Sequence, residues 1–287
     1  MAHSPKNLEF FRKIKAQQLT IATEAILQST IQFYYNKESG RLAPCGSGVL
    51  LTIENRFFVA TAAHVLATHS HSTFVALSDA ELTLGGLLHS TPPSTFDLSV
   101  LELTDASQVA RLQQEYSFLT LADLCVRQKH LNDLYLIVGY PATKTKVYNS
   151  TIHAKPYPLQ AQVATDFNFA AEGLQRATHL VLDATGEVVS VANPNPHKTP
   201  DLRGVSGGGV WHNGNYLKGD PAQEKRLVGI IIEQRNHGRG GRCSLVVTRT
   251  AVLLEFMRQS FNLAIPASKT VKLNLGTGRP VAASPEI

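Results

Sequence analysis

The stretch Asp201-Leu202-Arg203-Gly204-Val205-Ser206-Gly207-Gly208-Gly209-Val210-Trp211 places a serine two residues after one glycine and directly before three more. Without Cβ atoms at the flanking positions, a backbone can turn tightly and come close to a bound group. Such a turn presents a hydroxyl beside converging backbone N–H groups, the donors needed by the anion that forms when a hydroxyl attacks a carbonyl. A phosphate cradle is the other reading of a glycine-rich loop, but no G-x-x-x-x-G-K-[ST] follows a strand here.

Outward from the serine, Phe57-Phe58-Val59-Ala60-Thr61-Ala62-Ala63-His64 reads as an apolar strand running into a small-residue turn that ends in histidine. Further on, Asp97 opens the alternating run Leu98-Ser99-Val100-Leu101-Glu102-Leu103. His, then Asp, then Ser is a known chain order for a base, its orienting carboxylate and a nucleophile. Together the three pieces resemble the chymotrypsin/trypsin-like serine proteases. Thr61-Ala62-Ala63-His64 matches that family's TAAH, Asp97-Leu98-Ser99-Val100-Leu101 its D-[IL]-[AS]-[LV]-[LI] strand, and Gly204-Val205-Ser206-Gly207-Gly208 its G-x-S-G-G. The resemblance runs from Ile31 to Met257.

The resemblance implies an all-β fold of two six-stranded antiparallel β-barrels, with a helix at each end of the chain. It implies a serine endopeptidase with Ser206 as nucleophile, His64 as general base and Asp97 as the carboxylate that orients the imidazole. The backbone N–H groups of Gly204 and Ser206 would form the oxyanion hole. Ile232-Glu233-Gln234 corresponds to the edge strand that pairs with an extended peptide substrate. Asp201 and Leu202, in the segment leading to the serine, would line the specificity pocket, with Ser244-Leu245-Val246 on its other side. The carboxylate that selects Lys or Arg in trypsin-type members is replaced by Pro200. Asp201 therefore has two readings, a pocket carboxylate or a turn cap paired with Arg203. No cofactor and no metal is implied.

Two departures set the chain apart from secreted members. Val205 stands where an Asp pairs with a new N-terminus after zymogen cleavage, and Val65 removes the half-cystine partner that Cys45 would need. Both fit intracellular, bacterial-type trypsin-like peptidases, and the tail is too short for the peptide-binding domain of the high-temperature-requirement group. Three cysteines without paired spacing, and no signal-peptide pattern at the N-terminus, point to the cytoplasm. With 43% hydrophobic and 17% charged residues and no long apolar run, the chain reads as globular, with no membrane span. The net charge of +5 is scattered and only a weak pointer to acidic partners.

In order along the chain, residues 1–28 read as a helix, after Ser4-Pro5, whose apolar stripe either packs on the body or docks a regulatory partner. Residues 29–110 form the first barrel with His64 and Asp97, 111–128 the crossover, and 129–250 the second barrel with Ser206. Residues 251–263 have helical spacing, and 264–287 read as a tail with little structure. Within these segments, Glu81–Leu88 is expected as one strand and Val188–Pro200, rich in Pro and Asn, as a loop. His69-Ser70-His71 reads as a solvated turn rather than a metal site. Asn236–Arg242 resembles an RGG segment but lacks interleaved aromatics, which argues against nucleic acid. The competing function is a catalytically silent module that keeps the peptide groove. A serine esterase would present its G-x-S-x-G before Asp and His, which is not the order here.

Overall fold

The computed structural model describes residues 5–37, 39, 42–67, 73–78, 81–92, 94–126, 134–148, 151–165, 167–184, 187–190, 193–198, 201–213, 220–237, 242–273 and 279–281. Helix α1 (Pro5–Leu27) leads into strands β1 (Thr30–Asn36), β2 (Leu42–Ile53) and β3 (Arg56–Ala62). Glu54 and Asn55 both hold left-handed backbone, φ 54° and 59°, between β2 and β3. Two successive positive φ values match the right-handed strand twist and give a tight hairpin. Helix α2 (Ala63–Ala67) then carries His64, and β4 (Thr73–Ala76), β5 (Glu81–Thr83), β6 (Gly86–Ser90) and β7 (Leu98–Leu103) complete the first half.

This half is a curled antiparallel sheet in the order β6-β7-β3-β2-β1-β4-β5, and not the closed barrel expected from the sequence. The reason lies at Leu84–Gly85. The segment expected as one strand breaks there, with Gly86 at φ 150°, so β5 pairs with β4 and β6 with β7, and β5 and β6 do not pair with each other. The ring is joined through this covalent bend instead of a continuous ladder.

Helix α3 (Ala106–Glu115) is capped by the Asp105 carboxylate, which accepts from the Ser107 N–H at 2.7 Å. The second half follows: β8 (Tyr135–Val138), the hairpin β9 (Thr145–Tyr148) and β10 (Thr151–Ala154), β11 (Leu159–Val163), β12 (His179–Asp183), β13 (Glu187–Ser190), β14 (Asn193–Lys198), β15 (Gly209–Asn213), α4 (Pro221–Glu224), β16 (Lys225–His237) and β17 (Arg242–Arg249). The order β12-β17-β16-β15-β8-β11 closes through β11–β12 pairing, Gln162 opposite Asp183, into a six-stranded barrel. The fold is thus all-β and chymotrypsin-like, with one barrel closed and one sheet curled.

Two expected loop regions are structured. Residues 188–200 contribute β13 and β14, the latter a terminal strand. A terminal strand has one edge without a ladder, so Pro194 and Pro196, which share an edge, are tolerated there. After α5 (Thr250–Phe261), residues 263–273 pack back on the body, with Leu263 and Val271 buried. Their anchor is Glu255. Its carboxylate, bonded to Arg258, the Gln259 amide and the Ser268 N–H, is held down at about 2. Strand β18 (Arg279–Val281) then adds to the free edge of β6.

The core at the junction draws on both halves: Val49 and Phe58 from the first sheet, Val138, Trp211 and Ile230 from the second, and Phe256 and Met257 from α5. Leu19, Ala22 and Ile26 of α1 join the same cluster at helical spacing. Each large side chain there contributes on the order of 1.5–3 kcal/mol relative to exposure.

Candidate active site

His64 and Asp97 meet where β3 ends and β7 begins. The Asp97 backbone carbonyl accepts from the Ala63 N–H at 2.8 Å. One carboxylate oxygen accepts from the His64 N–H at 3.0 Å, the other from the His64 Nδ1 at 2.5 Å. A neutral ring with its proton on Nδ1 has Nε2 as its basic atom. The Asp97 side chain is only 9% exposed and that of His64 44%, so the carboxylate lies behind a ring that faces the cleft. Asp97 itself sits at φ 46°, a left-handed conformation that Asp and Asn tolerate. Its neighbour Phe96 is held by the second barrel: its carbonyl accepts from Thr248 Oγ1 at 2.6 Å, and its ring stacks on that of His179, 5.9 Å between centroids.

The serine loop is shaped by its backbone. The Val205 N–H donates to Leu202 O at 2.9 Å and the Gly207 N–H to Ile231 O at 2.7 Å. Gly204 (φ 92°) and Gly207 (φ 85°) are left-handed. A Cβ on Gly207 would lie 1.9 Å from Ser47 O, and one on Gly204 2.8 Å from Ala142 N. Glycine is required at both.

Two carbonyls of this loop point away from the cleft. Arg203 O accepts from the Ala142 N–H at 2.7 Å, and Val205 O from the Gly208 N–H at 2.8 Å. No peptide bond is cis, and in a trans peptide N–H and C=O point in opposite directions. The N–H groups of Gly204 and Ser206 are therefore turned the other way. Among the described residues neither donates a backbone hydrogen bond.

A cleft of about 820 Å³ brings His64, Asp97 and Ser206 together with Asp201, Leu202, Ile232, Glu233 and Gln234, and adds Arg203 and Asn236. Asp201 is committed locally: its carboxylate takes Arg203 Nε at 2.7 Å and the Arg203 backbone N–H at 3.0 Å. Arg203 holds that carboxyl below the usual range. Gln234 ties the walls, its Oε1 accepting from the Leu202 N–H at 3.2 Å and its amide donating to Cys243 Sγ at 3.3 Å. Glu233 is paired with Arg235, which also pairs with Glu172, both at 2.7 Å. Strand β15 pairs with β16 only as far as Ile230, so the same edge of β16 past Ile231 has no strand beside it among the described residues.

Sequence reasoning missed Ser47, Thr248 and the 142–144 turn. The available signal for Ser47 was its place between Gly46 and Gly48, where close packing demands small residues; a Cβ on Gly46 would lie 2.5 Å from Val65. His69-Ser70-His71, Pro200 and residues 238–241 of the RGG-like segment lie outside the described residues. Among those described, no helix is long and apolar enough to cross a membrane.

No protein-family model and no curated protein matches the chain. Among solved structures it is similar to one described as "HtrA-type protease AlgW with tripeptide", at 19% identity and a TM-score of 0.49. The match covers 85% of this chain and 64% of that one, so the chain spans less than two thirds of its neighbour's length.

Proposed function

We propose that the chain is a serine endopeptidase acting on protein or peptide substrates. The observation that carries this reading is the His64 Nδ1–Asp97 pair facing the same cleft as Ser206, on a loop whose Arg203 and Val205 carbonyls are turned outward. In the first step Ser206 Oγ bonds to the scissile carbonyl carbon while its proton passes to His64 Nε2. The carbonyl π electrons move to oxygen, and the Gly204 and Ser206 N–H groups meet that charge. Asp97 stabilises the imidazolium. The tetrahedral species then collapses: the C–N bond breaks, His64 returns the proton to the departing amine, and Ser206 keeps the acyl group. Water repeats the sequence in reverse roles and frees the serine.

An extended substrate would lie along the open edge of β16 by Glu233 and Gln234, gaining ladder hydrogen bonds. The paired state of Asp201 argues against its selecting Lys or Arg. Helix α1 acts as a clamp on the shared core, and a regulatory partner engaging it would work through that core. Three cysteines without paired spacing fit a reducing compartment, so we place the protein in the cytoplasm.

Labelling by a fluorophosphonate probe tests the reading. The wild type should react at Ser206, while Ser206→Ala and His64→Ala should not. A folded wild type that stays unlabelled, alone and in cell lysate, would instead support a silent peptide-binding module built on the same open edge.

A further inference from the structure

We propose that Gln32 and Ser47, two buried polar residues of the curled sheet, form a latch that holds the oxyanion-binding peptide of the other barrel in its productive orientation. This rests on the protease reading above. Neither side chain lines the cleft, so both are positioning residues.

Ser47 on β2 has no exposed surface. Its hydroxyl donates to Gly204 O at 2.9 Å and accepts from the Tyr140 N–H at 3.0 Å. Its backbone N–H donates to Ser206 O at 2.8 Å, and its carbonyl accepts from Thr61 Oγ1 at 2.7 Å. One residue thus touches the Gly204–Val205 and Ser206–Gly207 peptides and the segment that follows β8. Gln32 on β1 grips the same segment further along. Its amide N–H donates to Thr145 Oγ1 at 2.9 Å and, more weakly, to Tyr140 O at 3.4 Å, while its Oε1 accepts from the Tyr34 hydroxyl at 2.5 Å.

Between Tyr140 and Thr145 lies the 3₁₀ turn Ala142–Lys144, and Ala142 supplies the N–H that holds Arg203 O. That bond decides which face of the Arg203–Gly204 peptide looks into the cleft. Gly204 has no Cβ to resist rotation, so without the bond the peptide can turn over at small steric cost. The cleft would then meet a carbonyl, an acceptor where the developing oxyanion needs a donor. Gln32 fixes the turn that bears Ala142; Ser47 fixes the turn and the Gly204 carbonyl together. Leaving Gly204 O and the Tyr140 N–H buried without this hydroxyl penalises the observed arrangement, which is the physical content of the latch.

Ser47→Ala and Gln32→Met in the full chain test this, read by fluorophosphonate labelling and by steady-state kinetics on a fluorogenic peptide chosen by library profiling. Removing one oxyanion donor costs about 10²- to 10³-fold in kcat. Ser47→Ala should lose that much, and Gln32→Met about tenfold, with KM and the midpoint of the pH–rate profile unchanged. Loss confined to kcat separates positioning from a general loosening of the fold, which would raise KM as well. Wild-type labelling rates in both folded variants would overturn the latch while leaving the protease reading intact. Should Ser47→Ala fail to fold, Gln32→Met decides alone. A wild type that fails to label overturns the protease reading and the latch with it.

Discussion

His64 and Asp97 are held in the curled first sheet chiefly by side-chain hydrogen bonds, whereas Ser206 and its neighbours are held in and around the closed barrel chiefly by backbone ones. In the first sheet one carboxylate receives a ring N–H and a backbone N–H. Around Ser206 the contacts are carbonyls, glycine φ values and a buried hydroxyl from the opposite sheet. The first arrangement depends on side-chain identity and should tolerate isosteric exchange without unfolding. The second depends on the absence of side chains, so an added methyl group should matter as much as a lost functional group.

The largest effect expected is chemical. Ser206→Ala should lower kcat on the order of 10⁶-fold with the melting temperature unchanged, if the three residues act as a unit. A residual rate within a hundredfold of wild type would remove Ser206 from the mechanism. Asp97→Asn keeps the left-handed backbone and should still cost about 10⁴-fold, because the amide favours the wrong ring tautomer. Circular dichroism would show the fold intact, and full activity would break the side-chain account of that half.

Gly207→Ala tests the backbone half. Left-handed strain alone costs roughly 1–3 kcal/mol, and the 1.9 Å approach to Ser47 O adds to it. A fall in melting temperature together with a loss of labelling is expected; an unchanged melt would mean the loop can be built another way.

Smaller is a pH effect at the seat of Phe96. Burial, reinforced by Arg235 and Arg249 and opposed by the backbones of Thr95 and Gln175, lowers the proton affinity of His179. Its folded pKa thus lies below the unfolded value near 6.5. The unfolded chain binds the extra proton, so stability is full above about pH 6.5 and declines as pH falls below it. His89, lowered by burial too, adds to the same window. Melting curves from pH 7.5 to 5 should therefore be flatter for His179→Gln than for wild type, and parallel curves would count against a buried neutral His179. Smallest is Asp201→Asn. With its carboxylate engaged by Arg203, the substitution should change peptide-library selectivity less than about threefold; loss of a strong Lys or Arg preference would restore Asp201 as a pocket carboxylate.

How much of this was legible in the sequence follows the same division. The His64, Asp97 and Ser206 segments stood out because nucleophilic chemistry restricts residue type, and the glycines around Ser206 because left-handed backbone restricts it further. The α1 stripe was legible as periodicity. The bend at Leu84–Gly85 was missed, since the alternating Glu81–Leu84 and the apolar Leu87-Leu88 read together as one strand although Gly85-Gly86 between them is a turn signal. The order of residues 263–273 was also hidden, because it rests on distant contacts, Ser268 N–H with Glu255, Ala264 N–H with Glu54 and the burial of Leu263 and Val271, and not on local propensity.

By itself, then, the sequence determined the all-β class and the two halves and marked out the residues proposed for acyl transfer, because each leaves a local mark: a period of two, a turn, or a residue type that chemistry demands. Only the tertiary structure decided which sheet closes, that Asp201 is spent on Arg203, and which way the Arg203–Gly204 peptide faces. The last depends on contacts such as Ser47 with Gly204, 157 residues apart, and Gln32 with Tyr140, 108 apart. A hydrogen bond between distant groups constrains one donor and one acceptor, both of which many polar residues or the backbone can supply, and so it leaves no pattern along the chain that names the partner.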